Sequence, residues 1–149
     1  MYFALIPTQE SIAELVACVR QRPETDEDIA KSVKEFHLTV LFSPDRKTQV
    51  NPLDVHALWV HKDQALASPV HGLHNFGPAG KTVWALQLAP LTWLVELRER
   101  CEELLGRYNI PWDKTWGFNP HLTICKTPGI TLAGPLPASV RFDRLELRY

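Results

Sequence analysis

Two short segments of the chain carry nearly the same four residues, and both contain side chains that can move protons. The first is His37-Leu38-Thr39-Val40, and the second, 84 positions later, is His121-Leu122-Thr123-Ile124. Each lies in a short apolar run that predicts a strand, where side chains two positions apart share a face. Each segment therefore presents one imidazole and one hydroxyl together. From the composition, this pattern is expected far less than once per chain, so chance does not explain two copies.

Two imidazoles and two hydroxyls suit the in-line cleavage of a phosphodiester. The reaction needs one proton removed from the nucleophile and another delivered to the leaving oxygen, and histidine serves both tasks because its ordinary pKa lies near neutrality. We therefore predict His37 and His121 as catalytic residues, with a bell-shaped dependence of rate on pH. Thr39 and Thr123 can donate hydrogen bonds to the non-bridging oxygens, where charge builds.

Three questions about this pair stay open from the sequence. Either histidine can be the base, and the nucleophile can be water or the substrate's own 2′-hydroxyl. The alternative to catalysis is two histidines whose hydrogen bonds are satisfied on half-buried strands.

Further residues are weaker candidates for substrate binding. They are Tyr2, Trp112, Lys114, Trp116, Phe118 and Lys126. The aromatic residues before His121 can stack on a base or pack their loop onto the core. The lysines can neutralise phosphate or stay solvated, and the tyrosine can face a cleft or the core.

The remaining histidines do not suggest a metal site. His71 and His74 are three positions apart on a predicted strand, so they point to opposite faces, and the same problem separates His56 from His61. A zinc site needs converging ligands. The chain also lacks the Gly-x-x-x-x-Gly-Lys sequence that cradles a triphosphate. We predict no metal and no other cofactor.

The composition predicts one soluble globular domain over residues 1–149, with 45% hydrophobic and 22% charged residues. The net charge of −1 argues against extended duplex binding, although a small anionic ligand needs only a local cluster of donors.

No apolar run approaches the ~18 residues of a membrane span, and Met1 to Pro7 lacks the basic leader of a signal peptide. Three cysteines without close spacing, Cys18, Cys101 and Cys125, indicate reduced thiols in the cytoplasm. The oligomeric state is not readable.

Hydrophobic periodicity predicts an α+β protein in which a helix precedes each His-bearing strand. The predicted strands are Tyr2–Ile6, Phe36–Phe42, Val55–Val60, Val70–Phe76, Val83–Leu88, Pro120–Lys126 and Val140–Arg148, and the predicted helices are Ser11–Arg22 and Pro90–Tyr108. The order suggests two duplicated strand-helix-strand units about a pseudo-twofold axis. Their mostly antiparallel sheets would place both His strands side by side in one central cleft, with the helices outside.

The two signatures resemble those of the two-histidine (2H) phosphoesterase superfamily, in its LigT-like branch. Phe118-Asn119-Pro120-His121 is similar to the second signature, where the family often has a proline before the histidine. Tyr2 to Pro7 looks like the family's opening strand, and Lys126 falls where LigT-like members commonly carry an arginine. The resemblance implies a bilobal fold and metal-independent phosphodiester chemistry at His37 and His121.

The resemblance also implies a nucleotide or short oligonucleotide as substrate. Known members act on 2′,3′-cyclic phosphates, 2′,5′-linked oligonucleotides, RNA 3′ ends and ADP-ribose cyclic phosphate, and compact phage members cut the cyclic oligonucleotide signals of bacterial anti-phage (CBASS) defence. We therefore predict a phosphodiesterase of this kind. Two alternatives stay open: RNA or tRNA end processing with 2′,5′ RNA ligase-like activity, and a binding protein that only sequesters a nucleotide.

Overall fold

The computed structural model describes residues 1–19, 36–61, 64–75, 84–114, 117–125 and 135–149. Within these ranges the chain forms strands and helices in the following order. They are β1 (Tyr2–Pro7), α1 (Gln9–Val19), β2 (Leu38–Phe42), α2 (Pro52–Leu58), β3 (Leu66–Asn75), β4 (Trp84–Leu88), α3 (Thr92–Arg107), β5 (His121–Cys125) and β6 (Ser139–Arg148). His121 is the first residue of β5, and His37 directly precedes β2. The helices α1 and α3 come before these two strands along the chain.

The described strands join in one closed antiparallel sheet with the order β1-β2-β5-β4-β3-β6. Strand β6 closes it by pairing with β1 on one side and with β3 on the other. The two antiparallel sheets predicted from the sequence are the halves of this ring, β6-β1-β2 and β3-β4-β5. The α+β class is confirmed.

The topology contains the predicted pseudo-twofold relation. Exchanging β1 with β4, β2 with β5 and β3 with β6 reproduces the same order of strands around the ring. The two long helices exchange with them, because α1 links β1 to β2 and α3 links β4 to β5. The strands β2 and β5 adjoin each other at the centre of this relation.

One predicted strand is wrong: Val55–Val60 was expected to be extended, and the chain instead forms the helix α2. Asn51 caps this helix, since its side-chain oxygen accepts a hydrogen bond from the backbone N–H of Leu53 at 3.0 Å. Pro52 occupies the first turn, where its fixed φ suits a helix and its missing N–H costs nothing. Val55 and Leu58, three residues apart, are the buried residues of the helix. A short apolar run does not by itself separate a strand from a single helical face.

The core packs the helices against one face of the strands. The second predicted helix, Pro90–Tyr108, corresponds to α3, and its residues in the core are Leu94, Leu97, Cys101, Leu104 and Leu105. Leu15 of α1 and leucines of β2, β4 and β5 belong to the same cluster. Burial raises the pKa of the thiols of Cys18 and Cys101, which disfavours their reactive thiolate forms. No described helix has the length and apolar character needed to cross a bilayer. The cytoplasmic location stays a prediction.

The turn that follows β2 is tied to the start of β1. The amino group of Met1 donates to the carbonyl oxygens of Ser43 and Asp45 at 2.9 and 3.0 Å. The carboxylate of Asp45 accepts hydrogen bonds from the backbone N–H groups of Lys47 and Thr48 and from the Thr48 hydroxyl. The backbone bonds from Thr48 and Lys47, together with the hydroxyl, lower the pKa of Asp45.

This lowered pKa gives an expected acid sensitivity. Because the folded-state pKa lies below the unfolded value of about 3.9, the carboxylate contributes stability above that pH and loses it as the pH falls through the folded-state pKa. The variant Asp45→Asn keeps an oxygen acceptor and does not titrate. Its urea midpoint should therefore fall less between neutral pH and about pH 3 than the midpoint of the unaltered chain. Equal losses in the two proteins would contradict the assignment.

Candidate active site

Two leucines set the register of the His-bearing strands. Strands β2 and β5 are antiparallel neighbours, with Leu38 opposite Leu122, and both leucines are fully buried. Burying a leucine side chain contributes about 1.5–3 kcal/mol. A slip of one residue would turn these leucines outward and press histidine and threonine into the core, so the register is strongly specified.

This register brings both histidines and both threonines together. Continuing it by one residue in each direction sets His37 opposite Thr123 and Thr39 opposite His121. Directly opposed residues of an antiparallel pair have Cα atoms about 4.5–5.5 Å apart. All four side chains are half-buried, so they are reachable from solvent yet partly screened from it. The result is a compact cluster on the sheet face opposite the two leucines.

The strands on either side repeat the pseudo-twofold relation within the site. Ala4 of β1 is paired with Thr39, and Ala85 of β4 is paired with Thr123. Both alanines are fully buried. The smallest chiral side chain thus flanks each threonine.

A backbone contact fixes the tautomer of His121. Its Nδ1 lies 2.8 Å from the carbonyl oxygen of Asn119. Since a carbonyl oxygen can only accept, Nδ1 carries the proton in this contact, and Nε2 is the atom that can exchange a proton with a substrate. Gln87 of β4 is paired with His121, and its amide donates to the side-chain oxygen of Asn119 at 3.4 Å. Asn119, whose carbonyl oxygen orients the ring, is therefore itself held by Gln87 through its side chain.

The environment of His37 is different, because an aromatic ring covers it. The rings of Tyr2 and His37 are stacked, with centroids 5.3 Å apart and planes 30° apart. Tyr2 is half-buried. The structure therefore brings this candidate to the first histidine, at the cleft.

Sequence reasoning missed a residue beside this pair, Arg148. It is paired with Tyr2 across the β1–β6 ladder, and its guanidinium donates to the carboxylate of Glu146 at 3.2 Å from both Nε and Nη2. Burial lowers the pKa of Arg148, but interactions with the side chains of Tyr2 and Glu146 outweigh it, so the pKa is raised overall. Alternation along the last strand places Arg144, Glu146 and Arg148 on one face, but only the ladder identifies what that face meets.

The loop before His121 packs two of its aromatic residues, Trp112 and Phe118, on the core. Trp112 and Phe118 are half-buried and contact the core cluster. The guanidinium of Arg98 lies over the Phe118 ring, 4.9 Å from its centroid, and the exposed Lys114 lies over the Trp112 ring at 4.6 Å. Such stacking uses cation–π attraction. These contacts favour the packing alternative for the two rings, while their role in substrate binding stays a prediction.

Two candidates, Trp116 and Lys126, lie outside the described residues. Among the residues that the structure does describe, no group of three or more His, Cys, Asp or Glu side chains gathers to hold a metal ion. That chemistry here proceeds without a metal stays a prediction from the residues.

The whole arrangement has counterparts among solved structures. The chain is similar to a structure described as a phosphoesterase, with 15% identity, 97% of this chain and 91% of the other covered, and a TM-score of 0.58. It is similar to E. coli LigT in complex with NADP+, with 15% identity, 97% of this chain and 90% of the other covered, and a TM-score of 0.56. It is also similar to E. coli LigT in complex with 3′-AMP, with 14% identity, 95% of this chain and 82% of the other covered, and a TM-score of 0.50.

These likenesses establish the fold. The chain has the LigT-like 2H phosphoesterase fold, as the resemblance of its two signatures implied. No protein-family model and no curated protein matches the sequence. The coverage is nearly complete while the identity is low, so the shared arrangement of strands, and not similar sequence, carries the comparison.

Proposed function

We propose that this chain, which has the fold of LigT-like phosphoesterases, is a metal-independent phosphodiesterase that cleaves a small nucleotide or short oligonucleotide. One observation supports this most directly: Leu38 of β2 is paired with Leu122 of β5, and continuing this register by one residue places each histidine opposite the other strand's threonine. Two proton-transfer groups and two hydroxyl donors on one patch are what in-line phosphodiester cleavage requires.

The proposed mechanism assigns a task to each of the four side chains. One imidazole removes the proton from the nucleophile, and the other delivers a proton to the leaving oxygen. Nε2 is the transferring atom of His121, because Nδ1 is occupied by the carbonyl of Asn119. The hydroxyls of Thr39 and Thr123 donate to the non-bridging oxygens as negative charge builds on them. Since one histidine must be neutral and the other protonated, the rate should pass through a maximum with pH.

The proposal of a nucleotide substrate rests on the chemistry of the four side chains and on the similar solved structures. E. coli LigT has been solved with NADP+ and with 3′-AMP, and both ligands carry a ribose phosphate. In this chain, the cluster offers donors to one phosphoryl group, and Tyr2 and Gln87 adjoin it. The proposed substrates are 2′,3′-cyclic phosphates, 2′,5′-linked oligonucleotides and cyclic oligonucleotide signals, with the anti-CBASS activity of compact phage members as one biological setting.

A substrate panel tests the proposal. The protein is incubated with EDTA and, separately, with 2′,3′-cyclic mononucleotides, 2′,5′-oligoadenylate, cyclic di- and trinucleotides, and a nicked tRNA. We expect turnover of at least one phosphodiester in the presence of EDTA. Joining of the nicked tRNA would instead support the ligase-like alternative, which uses the same residues.

Two outcomes would overturn the proposal. Tight binding of a nucleotide without turnover would favour a sequestering protein. Turnover that EDTA abolishes and an added divalent cation restores would show that a metal, and not the histidine pair alone, carries the reaction.

A further inference from the structure

Two side chains, those of Tyr2 and Arg148, extend from His37 along one face of the sheet. The β1–β6 ladder pairs Tyr2 with Arg148, so the two side chains share a face of the sheet. Interaction with the Tyr2 side chain raises the pKa of Arg148, and the Tyr2 ring is stacked on the His37 imidazole. The contacts named here involve neither Thr39 nor Thr123.

Arg148 is itself held in place. Its Nε and Nη2 both contact Oε2 of Glu146, at 3.2 Å each, while the other carboxylate oxygen of Glu146 contacts Nε of Arg144 at 3.1 Å. A guanidinium engaged at two donors by a residue of the same strand has little freedom to move. Its side chain is 29% exposed, so water competes only in part for these bonds.

A fixed hydroxyl restricts the ring that carries it. A tyrosine ring without a partner at its hydroxyl can tilt and change rotamer, whereas one anchored at that end keeps its plane. The stacked imidazole of His37 then stays close to its present orientation, with its plane 30° from that of the Tyr2 ring. Because proton transfer requires the ring nitrogen within hydrogen-bond reach of the reacting oxygen, restricting the ring stabilises the productive arrangement.

We propose that Arg148 is a positioning residue for His37: it anchors the Tyr2 hydroxyl, and the anchored Tyr2 ring holds the imidazole in its reactive orientation. The proposal rests on the phosphodiesterase function proposed above. It assigns to Arg148 no contact with the substrate.

Kinetics of three variants test the proposal. Arg148→Met keeps the aliphatic stem and removes the donors, and Tyr2→Phe keeps the ring and removes the hydroxyl. Each should lower kcat by about 10–100-fold, as expected for a misplaced catalytic group, with KM changed less than about threefold. The double variant should be no slower than the slower single variant, because both changes break the same connection.

Arg144→Met is the matched control. Arg144 lies on the same strand and shares Glu146, but it is paired with Ile6 and its side chain is 61% exposed. Its removal should leave kcat and KM within about twofold. A rise in KM with unchanged kcat for Arg148→Met would overturn the proposal, because it would indicate direct substrate binding. Additive losses in the double variant would overturn it as well.

A spectroscopic measurement separates this proposal from the proposed function. In NMR spectra of the imidazole side chains, Arg148→Met and Tyr2→Phe should both shift the signals of His37 and leave those of His121 unchanged. This result is expected whether or not any substrate in the panel is cleaved. Failure of turnover with the His37 shift present would reject the phosphodiesterase and retain the contact, and an unshifted His37 would reject the positioning role in an active enzyme.

Discussion

Replacing His37 or His121 with glutamine is expected to lower kcat by about 10²–10⁴-fold, the range that a positioned acid or base contributes. Glutamine retains polar hydrogen-bonding atoms in a side chain of similar reach but cannot exchange a proton near neutral pH. Both residues are half-buried, so the loss should fall on the reaction and not on folding. The measurement is kcat and KM for each variant, with far-UV circular dichroism and a thermal melt as evidence of folding.

The double variant adds a sharper test. Residues that act as a unit in one reaction are strongly non-additive, so losing both histidines should cost little more than losing the more important one. His56→Gln is the matched control, because His56 is exposed on α2, away from β2 and β5. If either single variant at His37 or His121 retained more than about a third of the activity while His56→Gln behaved like the unaltered chain, the shared-site mechanism would be refuted.

Replacing Thr39 or Thr123 with valine is expected to lower kcat by about 10²–10³-fold, the usual cost of removing one donor to a developing negative charge. Valine keeps the branched shape and the strand preference of threonine, so the register set by Leu38 and Leu122 should survive. The change therefore removes a hydroxyl and little else. Steady-state kinetics with the best substrate of the panel provide the measurement.

The division between kcat and KM decides what the hydroxyls do. A loss in kcat with little change in KM means that they stabilise the transition state, as proposed, whereas a rise in KM alone means that they bind ground state and transition state equally. Thr92→Val is a suitable control, because Thr92 is exposed at the start of α3. Unchanged kcat in both Thr39→Val and Thr123→Val would remove the threonines from the mechanism.

Hydrophobic periodicity in the sequence predicted the two His-bearing strands and the long helix α3. The alternation around each histidine predicted two strands, and the helical periodicity of Pro90–Tyr108 predicted α3, whose buried residues are Leu94, Leu97, Cys101, Leu104 and Leu105. The helical signal is strong because it spans several turns, and the strand signal because the same alternation occurs twice. The segment around Val55 failed for the opposite reason, since a run of six residues fits either period, and the capping by Asn51 decided in favour of the helix.

Contacts between distant segments escaped prediction. Arg148 and Tyr2 are separated by almost the whole chain, and nothing in either neighbourhood identifies the other as its partner. The same is true of Gln87 beside His121. The Asn119 carbonyl lies two residues before His121, yet a backbone acceptor leaves no signal in residue type. Such partners depend on which strands become neighbours, which local preference does not specify.

The sequence by itself determined which side chains share a face: each histidine with its threonine, and each leucine opposite them, because strand geometry alternates with a period of two. It also determined that the two copies occupy equivalent places in a duplicated strand-helix-strand order. The duplicated order had suggested that β2 and β5 are neighbours, but only the tertiary structure decided their register. It alone also showed that the His37 ring is stacked on Tyr2, which is paired with Arg148, while His121 meets a backbone carbonyl. The physical reason is that alternation is a property of a single strand, whereas pairing is selected by the burial of Leu38, Leu122 and the rest of the core together.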